Sequence, residues 1–288
     1  MGINVENNAP VQINFIWVNR FDFKAAELGT TSSFISEYPA QHLNIAGRGY
    51  TARSIGAQAT LNIELPKAVT VNTQGIVLVG DFTESATWRV TAYEQPAQSG
   101  TVIFDSDMQT IRGGYPADIN AWSGQPQPFF YLPLSAEPIL TMRSLTIEVE
   151  DAHNPYGYLA LYRLLLGKIF TAHRAYIWTG YKLNHKPYTE VKTDSQGLRQ
   201  FKPYPAQREL PITHPYLYLR ELEVLANAYQ LVGKQHDIFA NFWLESADSL
   251  QYMQHSGLYR VASDLNFSPK PPFYYQASFS LVDSMGQN

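Results

Sequence analysis

Leu145-Thr-Ile-Glu-Val-Glu-Asp-Ala-His-Asn-Pro-Tyr-Gly-Tyr-Leu-Ala-Leu-Tyr-Arg-Leu-Leu-Leu-Gly167 decides how the rest of the chain is read. Leu145, Ile147 and Val149 alternate with polar residues, the pattern of a half-buried strand. Glu148 and Glu150 then fall on its solvent face. Asp151–Gly157 is dense in turn formers. Tyr158–Leu166 returns as a second strand. Strand, polar turn and strand predict antiparallel β structure.

The same grammar extends toward the N-terminus. Val11–Val18 alternates, with Val11, Ile13, Phe15 and Trp17 on one side, and Asn19–Asp22 breaks it. Ala59–Leu65 alternates again, and Pro66 is expected to end that strand. Gly75–Gly80 holds a continuous apolar run, Ile76-Val77-Leu78-Val79, which suits a strand buried on both faces. Trp88–Tyr93 and Thr101–Phe104 are strands around a turn at Pro96–Gly100. Roughly six to eight short strands in the first ~170 residues match the turn spacing of a β-sandwich. Gly113–Pro138 differs, being rich in glycine, proline and aromatics, and reads as a long ordered loop.

Beyond Gly167, Tyr188–Thr193, the Asp194–Gly197 turn and Leu198–Phe201 form a hairpin pattern. Tyr218, Leu222, Leu225, Tyr229 and Val232 share one helical face, which predicts a helix near 218–232. Glu221 and Glu223 suit its positive N-terminal end, and Gly233 suits its C-terminal stop. Ile238–Leu244, Gly257–Ala262 and Phe273–Val282 read as strands, with Ser268–Pro272 as a turn. The fold class is mainly β, in two expected domains, 1–167 and 168–288.

Composition narrows the function. The 288 residues are 45% hydrophobic, 16% charged and 14% aromatic. Low charge with many aromatics fits a surface covered by partners, and equally a plain β protein. The net charge is −4 without a basic tract, which argues against nucleic acid as a partner. There is no cysteine, so disulfides, thiolate zinc sites and thiol nucleophiles are excluded. Met1–Pro10 lacks the pattern of a signal peptide. The apolar run at Leu159–Phe170 is broken by Arg163, Gly167 and Lys168 and is too short for membrane insertion. A soluble protein made in a cytoplasm is expected.

No catalytic constellation emerges, and no enzyme activity and no cofactor are expected. There is no Gly-x-Ser-x-Gly elbow. The histidines at 42, 153, 173, 185, 214, 236 and 255 have no ligand spacing, so no metal site is predicted, and each reads as a surface or loop residue. Gly47-Arg48-Gly49 reads as a tight loop. Asp105 with Asp107, or Glu148, Glu150 and Asp151, are formal carboxylate pairs but read as solvated groups. Asp151 and Asn154 either hold a hard cation through oxygen ligands or close an Asx-type turn. The aromatic segment supplies the binding candidates Tyr115, Trp122, Phe129, Phe130 and Tyr131. They either meet a protein partner or a sugar, or cap their own sandwich.

Three stretches carry a resemblance. Ala59-Thr-Leu-Asn-Ile-Glu-Leu-Pro66, Gly75-Ile-Val-Leu-Val-Gly-Asp-Phe82 with Ala86-Thr-Trp-Arg-Val90, and Leu145–Gly167 resemble a discoidin-like (galactose-binding-like) β-sandwich. Asn19-Arg-Phe-Asp22, Tyr38-Pro-Ala-Gln-His-Leu-Asn44 and Arg53-Ser54 look like the opening of such domains in tailed-phage proteins. Arg208–Thr213, the helix ending Tyr229-Gln-Leu-Val-Gly233, and the strands after it resemble the tail-tube-like fold of distal tail and tail-tip proteins. The resemblance implies a virion structural protein of the tail tip or baseplate. It implies a ring, hexamer or trimer, formed by the C-terminal domain, with the sandwich docking other tail-tip, tail-tube or fibre proteins. The alternative is a carbohydrate-binding protein using the sandwich loops for host-surface attachment. No clear arginine-plus-aromatic sugar pocket falls on matching positions.

Overall fold

The strand order follows the alternating pattern closely. In the computed structural model, residues 12–22, 24, 26–29, 33–45, 50–112, 114, 128–134, 140–172, 184–193, 199–243 and 249–284 are described. The strands are β1 (Gln12–Asn19), β2 (Glu27–Leu28), β3 (Ala52–Arg53), β4 (Gln58–Thr70), β5 (Gln74–Gly80), β6 (Thr87–Gln95), β7 (Ser99–Asp105) and β8 (Gln109–Thr110). They continue as β9 (Phe129–Pro133), β10 (Thr141–Glu150), β11 (Ala160–Thr171), β12 (Asn184–Thr193) and β13 (Arg199–Leu217). Helix α1 (Leu219–Val232), β14 (Ile238–Trp243), α2 (Ser249–His255), β15 (Gly257–Val261), β16 (Asn266–Lys270) and β17 (Tyr274–Asp283) complete the order.

Two antiparallel sheets result. One has the order β2-β4-β10-β6-β7, with β8 on β6. The other runs β12-β13-β17-β15-β14-β1-β11-β5-β9, with β16 on β17 and β3 on β11. Leu61, Ile63, Val90, Leu145 and Ile147 of the first sheet meet Ile76, Leu78, Phe130, Leu164 and Leu166 of the second in one core, which makes a β-sandwich. Trp88 stacks on Phe130 at 4.8 Å there.

The continuous apolar run of β5 has its explanation in a third layer. Ile76 and Leu78 face the sandwich core, while Val77 and Val79 face a separate cluster with Tyr252 and Met253 of α2. β1 is likewise buried on both sides: Phe15 and Trp17 enter a core with Leu210, Ile212, Phe279 and Leu281, and Ile16 enters the α2 cluster. Helix α1 covers that C-terminal core through Leu225 and Val232. The Glu221 carboxylate accepts the Tyr218 N–H at 2.8 Å at its start. At its end Gly233 adopts φ +55°, where its N–H donates to the Tyr229 carbonyl at 2.8 Å.

Several expectations need correction. Pro66 does not end β4. Glu64 faces Ser144 and Val69 faces Met142, so the residues between bulge out opposite Arg143. Arg143 donates to the carbonyls of Leu65 at 3.1 Å and Pro66 at 3.3 Å, so the proline sits where the ladder is already interrupted. The segment 113–138 is not wholly loop, because β9 pairs with β5 inside it. Ser268–Lys270 belong to β16 rather than to a turn. The short helix α2 lacks a long enough period to stand out in sequence. His214 and His255 are core residues, at 2% and 6% exposure, rather than surface ones. His214 packs among Phe15, Phe170 and Phe279.

The position 167 expected as a domain boundary lies inside β11, which runs on to Thr171. Gly167 faces a bulge in β1, and an added Cβ there would sit 2.3 Å from the Val18 carbonyl oxygen. Across this join lies a buried charge network. The Arg163 guanidinium on β11 meets Asp22 at 2.6 Å and Asp237 at 3.3 Å, and donates to the Leu43 carbonyl. Arg260 also meets Asp237, at 2.9 Å. Arg163→Met leaves Asp22 and Asp237 buried without that cation. Urea unfolding should show a loss of about 3–5 kcal/mol, and a loss below about 1 kcal/mol would contradict this role.

Burial pushes the imidazole of His214 down to about 3 and that of His255 down to about 4. An unfolded chain protonates histidine near ~6.5. Below that pH the unfolded state binds more protons than the folded one, so stability falls as pH drops from about 6.5 toward 3. His214→Phe should flatten part of this slope in thermal melts across pH; an unchanged slope would refute the assignment.

Candidate ligand-binding site

The sandwich positions its connecting segments at the strand ends, where β3, the turn before β11 and the 3-10 turn Ala40–Asn44 come together. Arg53 ends β3, and its register opposite Ala160 fixes its Cα against β11. Its N–H donates to the Tyr38 carbonyl at 2.9 Å, and its carbonyl accepts from Ile35 at 3.1 Å. Ser54 locks the same join, since its hydroxyl oxygen accepts the Leu159 N–H at 2.7 Å.

These constraints bring three distant residues into one stack. The Arg53 guanidinium carbon lies 4.5 Å from the Tyr38 ring centroid and 4.5 Å from that of Tyr158. Two aromatic rings thus pack against one cation. Tyr156 stacks on Tyr158 with centroids 5.9 Å apart and is 53% exposed, so the row continues to the surface. Tyr50 lies edge-on to His42, whose Nδ1 is 2.9 Å from the Thr51 carbonyl oxygen. Arg53 Nε is buried without a hydrogen-bond partner. A shallow depression of about 600 Å³ begins two residues further along the chain, lined by Ser33, Ile55, Gln58, Thr60, Glu150 and Ala152.

The turn that carries Tyr156 is pinned by Asp151. Its buried carboxylate accepts the Thr83 N–H at 2.9 Å, the Thr83 hydroxyl at 2.5 Å and the Asn154 side-chain amide at 3.2 Å. Asn154 also donates to the Asp81 carbonyl at 2.9 Å, and its side-chain oxygen accepts the Tyr156 N–H at 3.1 Å. Donors therefore surround the oxygens that a cation would need, and the geometry fits the Asx-turn reading. Among the described residues no cluster of three or more histidine, aspartate or glutamate side chains forms a metal-ligand set.

The aromatic candidates are dispersed. Tyr115 and Trp122 lie outside the described residues. Phe129 and Phe130 are buried at 1% and 2%, Phe129 against Phe239 and Tyr252, and Phe130 against Phe82 and Trp88. They are core residues of β9 and not a recognition surface. Tyr131 is partly buried, stacks on Phe239 and borders a cavity of about 320 Å³ with Asn14, Arg112 and Tyr252. Burial raises its phenol above the usual range. Asp105 pairs with Arg89 rather than with Asp107.

No arginine-plus-aromatic group is visible in the sequence; the structure assembles one from Tyr38, Arg53 and Tyr158. Their spacing carries no motif, because the contact depends on β3 pairing with β11. The available signal was the pair Tyr156 and Tyr158 flanking a glycine in a turn.

No family model matches the chain, and no curated protein matches its sequence. Some solved structures are similar to about half of it. One is reduced XRCC1 bound to the DNA polymerase β catalytic domain, with 13% identity over 49% of this chain and 95% of that one, at TM-score 0.36. Another is a Ruminococcus gnavus GH29 fucosidase in complex with fucose, with 12% identity, 52% of this chain but 26% of that one, and TM-score 0.36. A third is the family 32 carbohydrate-binding module of Clostridium perfringens NanJ in complex with galactose, with 9% identity, 54% of this chain, 98% of that one and TM-score 0.35. Such distant likenesses assign no function.

Proposed function

We propose that this chain is a carbohydrate-binding protein, acting without catalysis, whose ligand seats on the Tyr38–Arg53–Tyr158 stack. The observation that carries the reading is the Arg53 guanidinium packed against two tyrosine rings, with Tyr156 extending the row outward. A sugar presents C–H faces that pack on aromatic rings and hydroxyls that bond to directed donors. Stacking also orders the arginine before a ligand arrives, which lowers the entropy cost of binding.

A second reading is favoured by a separate surface. Tyr216, Tyr218, Leu219, Phe267 and Phe273 are exposed, Phe273 to 80%. Tyr274 lies 5.7 Å from Tyr216 and 5.4 Å from Tyr218, and Lys270 sits 5.3 Å over the Tyr216 ring. Grouped exposed apolar side chains suit protein contact. In this reading the chain is a virion structural component of a phage tail tip, ring-forming through its C-terminal part, with the sandwich meeting other tail proteins. The two readings are compatible, since a tail-tip component can also bind a host-surface glycan.

Two outcomes are expected. In glycan-array and calorimetric binding, Tyr158→Ala and Arg53→Ala should each weaken the strongest glycan at least 10-fold while thermal melting shows both variants folded. Equal affinity of folded variants and the parent chain would overturn the site. For the second reading, native mass measurement should give six or three copies, and Phe273→Ser should reduce assembly; a strict monomer would contradict it.

A further inference from the structure

We infer that the ligand of the Arg53 site is an acidic sugar, one whose ring carries a carboxylate, as a uronic or sialic acid does. This rests on the carbohydrate reading above and adds its substrate class. Arg53 stands apart from the other well-placed arginines. Arg89 is paired with Asp105, Arg163 with Asp22 and Asp237, Arg208 with Asp283, and Arg260 with Asp237, while Arg20 donates to the Gln74 side chain and Arg143 to the carbonyls of Leu65 and Pro66. Among the described residues Arg53 has no ion-pair partner, and its Nε is buried without an acceptor. A buried donor without an acceptor is costly, and Arg163, whose Nε is likewise unbonded, at least lies 3.3 Å from Asp237, whereas Arg53 has no such carboxylate among the described residues.

The geometry restricts what that acceptor is. Tyr38 and Tyr158 pack against the guanidinium, each ring centroid 4.5 Å from its central carbon, and its hydrogen-bond donors all point in its own plane. Only N–H donors lie in that plane, in a rigid fork, and a planar carboxylate matches the fork with two parallel hydrogen bonds. A neutral sugar hydroxyl leaves the positive charge without a counter-ion in a site partly screened from water by aromatic rings. Arg53 is anchored on a strand, so the fork is fixed in place. The chain's net charge of −4 means that any acid preference is local to this site rather than a general attraction. Glu150, in the adjoining depression, would accept hydroxyl hydrogens from a neighbouring sugar unit.

The test is calorimetric titration of the full chain with two matched pairs. Oligogalacturonate is compared with its carboxyl-reduced neutral counterpart, and sialyllactose with lactose. The acidic member of at least one pair should bind 10-fold or more tightly, with affinity falling as salt rises. Arg53→Gln should abolish the preference and Arg53→Lys should reduce it, since lysine keeps the charge and loses the fork. Tyr156→Ala should weaken acidic and neutral members alike. Equal binding of both members would overturn the acidic-sugar inference and leave the carbohydrate reading standing. A preference that survives in Arg53→Gln, or equally tight binding of a polyglutamate peptide, would also overturn it. Binding of no glycan would overturn both.

Discussion

The Arg163 guanidinium lies out of water between Asp22, which follows β1, and Asp237, which precedes β14. Its own strand, β11, lies within the long sheet, with β1 on one side and β5 on the other. One cation therefore ties the N-terminal strand, the sandwich and the C-terminal half together. A buried charge of this kind is tolerated only when its partners are held in place, so each of the three segments constrains the other two. Asn19 reinforces the join, because its side-chain oxygen accepts the Leu166 N–H at 3.1 Å.

That arrangement explains why the central strands carry so little polar sequence. β5 and β11 face the sandwich core on one side and the α2 cluster on the other, so both of their faces are largely apolar, with Arg163 the buried exception. Rigidity at the centre reaches the surface through β3. Its two residues pair with the start of β11 and set Arg53 beside Tyr158, while the Asp151 hub holds the turn that bears Tyr156. The site is thus built on strand ends and a fixed turn, where a directed donor keeps its aim.

Much of this was readable in the sequence, for identifiable reasons. Strands such as Ala59–Leu65 and Leu145–Val149 announce themselves because one face meets solvent and the other a core. Helix α1 does so because Leu222, Leu225, Tyr229 and Val232 repeat on one face. The run Ile76–Val79 was readable as doubly buried, although nothing in it says what covers its second face. β9 was hidden by its glycine- and proline-rich surroundings, and so Phe129 and Phe130 read equally as a recognition surface or as a cap on their own sandwich. The Tyr38–Arg53–Tyr158 stack was unreadable because its members meet only through strand pairing. The same holds for His214, which becomes a core residue only when Phe15, Phe170 and Phe279 surround it.

What remains is a cation that has no counter-charge among the described residues and packs against two aromatic rings, at the rim of the sandwich. The nitrogen that reports on it is Arg53 Nε, observable by proton–nitrogen NMR of the arginine side chains. On titration with an acidic oligosaccharide, the Arg53 Nε–H signal should shift and saturate, while those of Arg163 and Arg208 stay in place. An Arg53 signal that remains unmoved while the glycan is demonstrably bound would contradict the account.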